Sequence, residues 1–133
     1  METRVVTLAT GQRLVTDLTA VAGDFVDGLG DGLLNVFVPH ATAGVALIET
    51  GAGTEPDLAD PLERLLPTKD IYRHRHGSTG HGRDHVMPAF VSPSLTVPVV
   101  GGRLTLGTWQ SIVLVDPNRD NPHRSVRLSF VEG

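Results

Sequence analysis

Residues 72–85 read Tyr-Arg-His-Arg-His-Gly-Ser-Thr-Gly-His-Gly-Arg-Asp-His, and no apolar side chain follows Tyr72 until Val86. Such a stretch cannot form a wall of a hydrophobic core. The core must be assembled from the segments on either side while these residues run over the surface. Four of the six histidines fall here, His74, His76, His81 and His85, with Arg73, Arg75 and Arg83 between them. The composition suits a loop that carries imidazoles to a shared point. It predicts half of a metal or phosphate site, with His40 supplied from the other half.

The flanking segments alternate or run apolar at strand length. Arg4-Val-Val-Thr-Leu8 and Arg13-Leu-Val-Thr-Asp-Leu18 are separated by Gly11 and read as a hairpin. Thr19 is placed to cap a short helix whose Val21, Phe25 and Leu29 recur every four residues. Leu33-Leu-Asn-Val-Phe-Val38 is nearly continuous in apolar residues, which predicts a central strand buried on both faces. It ends at Pro39-His40, and Val45-Ala-Leu-Ile48 forms the next strand, followed by Glu49.

Residues 55–66 read as a helix with Leu58, Leu62, Leu65 and Leu66 on one face. Asp60-Pro61-Leu62-Glu63 resembles a capping box, so a kink or restart is expected at Pro61. Asp57 and Asp60 read as solvated charges favoured by the helix dipole. Beyond the histidine stretch, Ser94–Val100 and Arg103–Leu106 form a hairpin about Gly101-Gly102, with Pro98 marking an edge or bulge. Ser111–Val115 and Arg124–Phe130 complete the set of about eight strands and two helices, and His123 reads as a turn residue before the last strand. The sequence therefore predicts one α+β domain over 1–133, dominated by antiparallel sheet in a sandwich-like arrangement.

Composition narrows the chemistry. A formal net charge of -4 argues against general nucleic-acid binding, which needs a basic face, although the basic residues from Arg73 to Arg83 form a patch suited to one small anion. With no cysteine, disulfides, thiolate zinc sites and a cysteine nucleophile are excluded. No apolar run approaches the roughly 20 residues that span a bilayer. The first residues lack a basic region followed by an apolar one, so no secretory signal and a cytoplasmic location are expected.

Neutral imidazole is the commonest protein ligand for zinc and its neighbours, and a catalytic site uses three protein ligands. His74-x-His76 would point both rings to one side of an extended segment. His81-x-x-x-His85 would place both on one face of a helix, although Gly80 and Gly82 weigh against a helix there. Either a metal or an anion site is compatible with this clustering. Trp109, the only tryptophan, would fill the core in the more frequent, structural role of such a residue, and composition alone does not separate this from a role at a site. Gln110 offers an amide able both to donate and to accept.

Several of these residues occur together in a recognisable order. Pro39-His40-Ala41-Thr42-Ala43, Glu49, Asp57, Tyr72-Arg73-His74, Asp84-His85, Ser94-Leu-Thr-Val-Pro98 and Leu106-Gly-Thr-Trp-Gln110 resemble the YjbQ-like family over nearly the whole chain. The resemblance is strongest across residues 36–115. That family is associated with a secondary thiamine-phosphate synthase activity, which joins a pyrimidine methyl diphosphate to a thiazole phosphate and releases diphosphate. The resemblance implies a homotrimer with polar pockets near subunit boundaries and a small phosphorylated substrate.

It further implies a divalent metal, zinc or magnesium, or an anion in its place, at His40, His74 and His85. Glu49, His85 and Gln110 take catalytic roles on this resemblance, and Arg73 and Arg124 bind the phosphorylated groups. The chain departs from the family pattern at Ala41, Ile48, His81 and Asp84, and the loop after Glu49 is longer. These changes leave His76 and His81 as additional ligands of this chain's own. Two alternatives share the same residues: a metal-dependent hydrolase with Glu49 as general base, and a non-catalytic binding module for a phosphorylated metabolite.

Overall fold

The computed structural model describes every residue except Ala52, Asp70, Arg75 and His76. The strands are β1 (Glu2–Ala9), β2 (Val15–Asp17), β3 (Gly32–Phe37), β4 (Gly44–Ile48), β5 (Ser94–Val100), β6 (Arg103–Leu104), β7 (Ser111–Val115) and β8 (His123–Glu132). The helices are α1 (Thr19–Val26), α2 (Thr54–Leu65) and α3 (His81–Val86), the last continuing into a single 3-10 turn at Met87–Ala89. Five strands pair in the order β1-β8-β3-β5-β6 and three in the order β2-β7-β4. Every pairing is antiparallel. The α+β class follows, with one helix more than the sequence predicts.

Alternation along the strands builds two cores. Leu34 and Val36 of β3, Val97 and Val99 of β5, and Val126, Leu128 and Phe130 of β8 turn inward from the large sheet. They meet Val45 of β4, Ile112 and Leu114 of β7, and the apolar face of α1. The opposite face of the small sheet carries Val113 and Val115, which pack under Leu62 and Leu66 with Met87 beside them. Leu58 and Leu62 reach this second core from one face of α2, whereas Leu65 points to solvent. The order of layers is therefore large sheet, core, small sheet, second core, then α2 and α3.

Three local readings change in the structure. Residues 1–18 do not close a hairpin, because β1 pairs with β8 while β2 pairs with β7 in the other sheet. Gly11 turns the chain between sheets, and both Thr10 and Gly11 donate backbone N–H groups to the Pro122 carbonyl. Strand β3 is central in its sheet but buried on one face only. Leu33 and Phe37 point outward with exposures of 49% and 38%, because no layer among the described residues covers that side. Trp109 is 73% exposed instead of buried. Its turn carries the chain from β6 of one sheet to β7 of the other, so the side chain projects at the edge.

Helix α2 runs through Pro61 without restarting there. Glu63 caps the downstream turn instead, its carboxylate accepting the backbone N–H and the hydroxyl of Thr68 at 3.1 Å each. Pro98 sits in β5 just before the two-residue pairing with β6, and its carbonyl accepts both Thr105 donors. Among the described residues, no helix is long and apolar enough to cross a membrane.

Candidate metal centre

The polar stretch is not a simple loop. Residues 81–86 form α3, a turn and a half of helix, and this places His81 and His85 on one face. The two glycines that weigh against a helix in the sequence serve it in the structure. Gly80 adopts φ +89 at the N-cap, a left-handed conformation that favours glycine. Gly82 lies against the preceding segment: a Cβ there would sit 2.8 Å from both the His74 carbonyl oxygen and the Tyr72 Cβ. This close approach brings His74 over the histidine face of α3.

His74, His81 and His85 each direct one nitrogen to a common region, and the three ligand atoms lie within 4.8 Å of one another. The His81 and His85 Nε2 atoms are 2.8 Å apart. The His74 ring centroid is 5.2 Å from that of His81 and 4.1 Å from that of His85. Imidazole nitrogens around a tetrahedral zinc ion lie about 3.4 Å apart, given Zn–N bonds of about 2.0–2.1 Å. The spacing here brackets that value, so the donor set fits a single divalent cation after displacements of about 1 Å.

The side chain behind His81 fixes its tautomer. Asp120 Oδ2 lies 3.1 Å from His81 Nδ1, and a carboxylate only accepts, so Nδ1 carries the proton. The His81 Nε2 lone pair then faces the centre. The Asn118 amide also lies 3.2 Å from Nδ1, but two donors cannot satisfy each other. That amide instead donates to Asp84 Oδ2 at 3.1 Å. The Ser78 hydroxyl and backbone N–H hold the Asp120 carboxyl below its ordinary range; burial opposes them, and His81 and Asn118 add lesser lowering contributions. A carboxylate orienting an imidazole in this way is a recurrent support for metal-binding histidines.

Asp120 escapes sequence reasoning. Its only signal is the polar turn 116–122, whose register against α3 no local pattern reveals. The hollow beside the histidines measures about 200 Å³ and is lined by Lys69, Tyr72, Ser78 and Thr79 together with His74 and His81. The Tyr72 phenol donates to the Pro67 carbonyl at 2.9 Å. Burial raises its pKa, while the Arg83 guanidinium acts in the opposite direction.

The other expected site residues lie elsewhere. His40 is half-buried, and its Nε2 accepts the Ser125 backbone N–H at 2.9 Å. Burial lowers its pKa, Arg124 lowers it further, and Asp116 partly opposes them. Arg124 is 5% exposed and grips Asp116 through Nε at 2.6 Å and Nη2 at 3.2 Å, with Thr42 as a further acceptor. Glu49 is exposed and borders a shallow cleft with Thr50, Thr54 and Asp57. The Gln110 amide oxygen accepts the Gly107 N–H at 2.9 Å and closes its own turn. Arg73 is exposed, His123 opens β8, Asp57 and Asp60 stand exposed on α2, and His76 lies outside the described residues.

The structure thus gathers His74 and His85 with His81, while His40 is gathered with Arg124. Two expectations follow. Gly82→Ala should cost about 1–3 kcal/mol in denaturant unfolding, because the added methyl meets backbone that cannot yield without moving His74. His40 has a folded pKa below the ordinary 6.5, so it stabilises the fold above that pH and loses the contribution as the pH falls through the folded value. On acidification from neutrality to pH 5, the melting temperature of wild-type protein should therefore fall further than that of His40→Gln.

Comparison with known proteins agrees with this architecture. The sequence profile described as UPF0047 protein YjbQ-like matches residues 4–133. A UPF0047 protein of Mycobacterium tuberculosis is 65% identical over 133 residues, covering 100% of both chains. One from Methanothermobacter thermautotrophicus is 30% identical over 131 residues, covering 96% of this chain and 90% of its own. The crystal structure of a hypothetical protein from Aeropyrum pernix K1 superposes with a TM-score of 0.88 at 34% identity, with both chains covered completely. A YbjQ-like protein of unknown function from Sulfolobus solfataricus P2 shares the fold, with a TM-score of 0.91 at 21% identity over 99% of this chain and 97% of its own. With its profile match, its relatives and its fold in agreement, this chain belongs to the YjbQ-like UPF0047 family.

Proposed function

We propose that this protein is a cytoplasmic, metal-dependent enzyme acting on small phosphorylated substrates. Its reaction is the thiamine-phosphate-synthase-like transfer that the resemblance implies. The observation that carries the reading is the convergence of three imidazole nitrogens within 4.8 Å, with Asp120 orienting one of them. Three imidazoles suit zinc and its transition-metal neighbours better than magnesium, which prefers oxygen. A divalent ion bound there would supply positive charge against a diphosphate.

In the transfer, a bond forms between the thiazole nitrogen and the pyrimidine methylene carbon. The carbon–oxygen bond to diphosphate breaks, and the leaving group takes the electron pair. This chain's contribution is to hold that anion. Lys69 and the hydroxyl of Thr79 line the hollow beside the histidines and supply a charge and a hydrogen-bond donor, while the Ser78 hydroxyl is engaged with Asp120. Asp120 keeps His81 in the tautomer that presents its lone pair. Glu49, the general base of the hydrolase alternative, borders a different cleft from the histidines, and the same separation takes Glu49 out of the transfer at this centre.

Untagged protein should carry about one zinc-like ion per chain by elemental mass spectrometry and should form thiamine phosphate from the two substrates. His81→Ala should abolish both metal retention and turnover. Asp120→Asn should weaken metal affinity by about 10–100-fold. Protein that stays metal-free and inactive after incubation with these ions would overturn the reading and recast the cluster as an anion cradle.

Homotrimeric assembly is part of the same proposal. The uncovered face of the large sheet supports it, because it presents Leu33, Phe37 and Val131 to solvent in a single chain. Light scattering should give the mass of three chains, and Leu33→Arg should shift it toward one.

A further inference from the structure

The turn that follows β7 builds more of the histidine centre than Asp120 alone. Three of its side chains cap backbone donors two residues further on. Asp116 Oδ1 accepts the Asn118 N–H at 3.1 Å, Asn118 Oδ1 the Asp120 N–H at 3.0 Å, and Asn121 Oδ1 the His123 N–H at 3.0 Å. Pro117 and Pro122 restrict φ between these caps. The turn is therefore held by its own side chains, and its root is the buried Asp116–Arg124 pair.

Asn118 is the buried member of this turn that faces α3. It is 4% exposed, so both ends of its amide need partners. Its oxygen takes the Asp120 N–H, and this decides which end of the amide is which. Nδ2 then faces two carboxylates, with Asp84 Oδ2 at 3.1 Å and Asp120 Oδ2 at 3.5 Å. A reversed amide would aim its oxygen at both carboxylates and its NH2 group at a backbone N–H. An apolar side chain would leave all of these groups unmet.

The two carboxylates belong to different parts of the centre. Asp84 lies on α3 between His81 and His85 at 3% exposure, and its other oxygen accepts Arg83 Nε at 2.7 Å. Asp120 stands behind the His81 ring with its side chain 37% exposed. Ser78 steadies that carboxylate from the segment before α3, its backbone N–H donating at 3.4 Å. The backbone from which the carboxylate projects is held by Asn118. One amide thus spans from the helix that carries two imidazoles to the group that sets the tautomer of one of them.

We propose that Asn118 is a positioning residue of the histidine centre: by holding Asp120 behind His81 and gripping α3 through Asp84, it sets both the tautomer of His81 and the register of the ring against its carboxylate. The inference rests on the metal-binding function proposed above. It goes beyond it in placing part of the control of metal affinity in a buried amide outside the ligand set, one that must accept at one end and donate at the other.

The test uses intact protein and cobalt(II) alone as the probe. Cobalt is titrated into metal-free protein and followed by its visible absorption, and the His81 ring nitrogens are read by nitrogen NMR before metal is added. Wild-type protein should show the Nδ1–H tautomer and bind about one cobalt per chain. Asn118→Ala, in protein that remains folded, should mix the two tautomers and weaken cobalt binding about tenfold, as loss of a group supporting a metal ligand does. Asn118→Asp sets a carboxylate against Asp84 and should weaken cobalt binding to a similar degree. Adding Asp84→Asn exchanges donor and acceptor between the two positions, keeps acceptors for Arg83 Nε and the Asp120 N–H, and should recover most of the loss. This pair of variants carries the test if Asn118→Ala fails to fold.

A lowered melting temperature in Asn118→Ala with tautomer and cobalt affinity unchanged marks a residue of the fold alone and overturns the proposal. A double variant that binds cobalt no better than Asn118→Asp also overturns it. Either result leaves the metal centre standing. Wild-type protein that holds the Nδ1–H tautomer, loses it in Asn118→Ala and binds no cobalt upholds the role of Asn118 and removes the function proposed for the histidines.

Discussion

The arrangement depends on a buried carboxylate. Asp116 directly follows β7 at 5% exposure, where an ionised group cannot remain unless it is paired and hydrogen-bonded. Arg124 meets it through two nitrogens, and the Asn118 backbone N–H donates to it at 3.1 Å. Asp116 follows the middle strand of the small sheet and Arg124 belongs to a strand inside the large one, so the pair ties the two sheets at one end. Stranding either charge by deleting its partner costs about 3–5 kcal/mol in comparable buried pairs. The same turn then passes the constraint outward. Asn118 binds Asp84, Asp84 binds Arg83, and Arg83 reaches the Leu66 carbonyl at the end of α2. The helix that carries two of the three clustered histidines is thereby registered on the sheets.

This network also separates the two groups of histidines. His40 stands near Arg124, whose positive charge and the surrounding burial both favour the neutral ring. A cation approaching His40 Nε2 would have to displace the Ser125 N–H and come close to a guanidinium. His81 stands before a carboxylate instead, which favours both the tautomer and the positive charge that a cation would bring. Two imidazoles of one chain thus lie against charges of opposite sign.

The strands were legible in the sequence because alternation and apolar runs report burial directly, and the class follows from their number. The helix from Thr54 was legible through Leu58 and Leu62. What the sequence did not yield depends on contacts distant along the chain. Gly80 and Gly82 look like helix breakers by propensity. Their use here, one in a left-handed cap and one under the His74 backbone, is visible only when that segment is laid on α3. Trp109 has a side chain suited to a core, but its turn crosses between sheets at an open edge. The spacing of His81 and His85 was readable, whereas Asp120 lies 39 residues from His81 and only the fold brings them together. Leu33 and Phe37 made β3 look buried on both faces because an apolar residue signals the same whether it faces a core or an uncovered surface.

The three histidines also differ in how they tolerate change in chain length. His81 and His85 are spaced by the pitch of a helix, in which each residue adds about 100° of rotation. A single insertion or deletion between them would swing one ring to the far side of α3, and no nearby adjustment could restore it. His74 lies outside the helix, so its place beside the other two rings is not set by helical pitch. Length variation in descendants of this sequence should therefore accumulate before the helix and stop at its first turn. The centre thus has one part set by the pitch of a helix and another set by the close contact of the His74 backbone with Gly82.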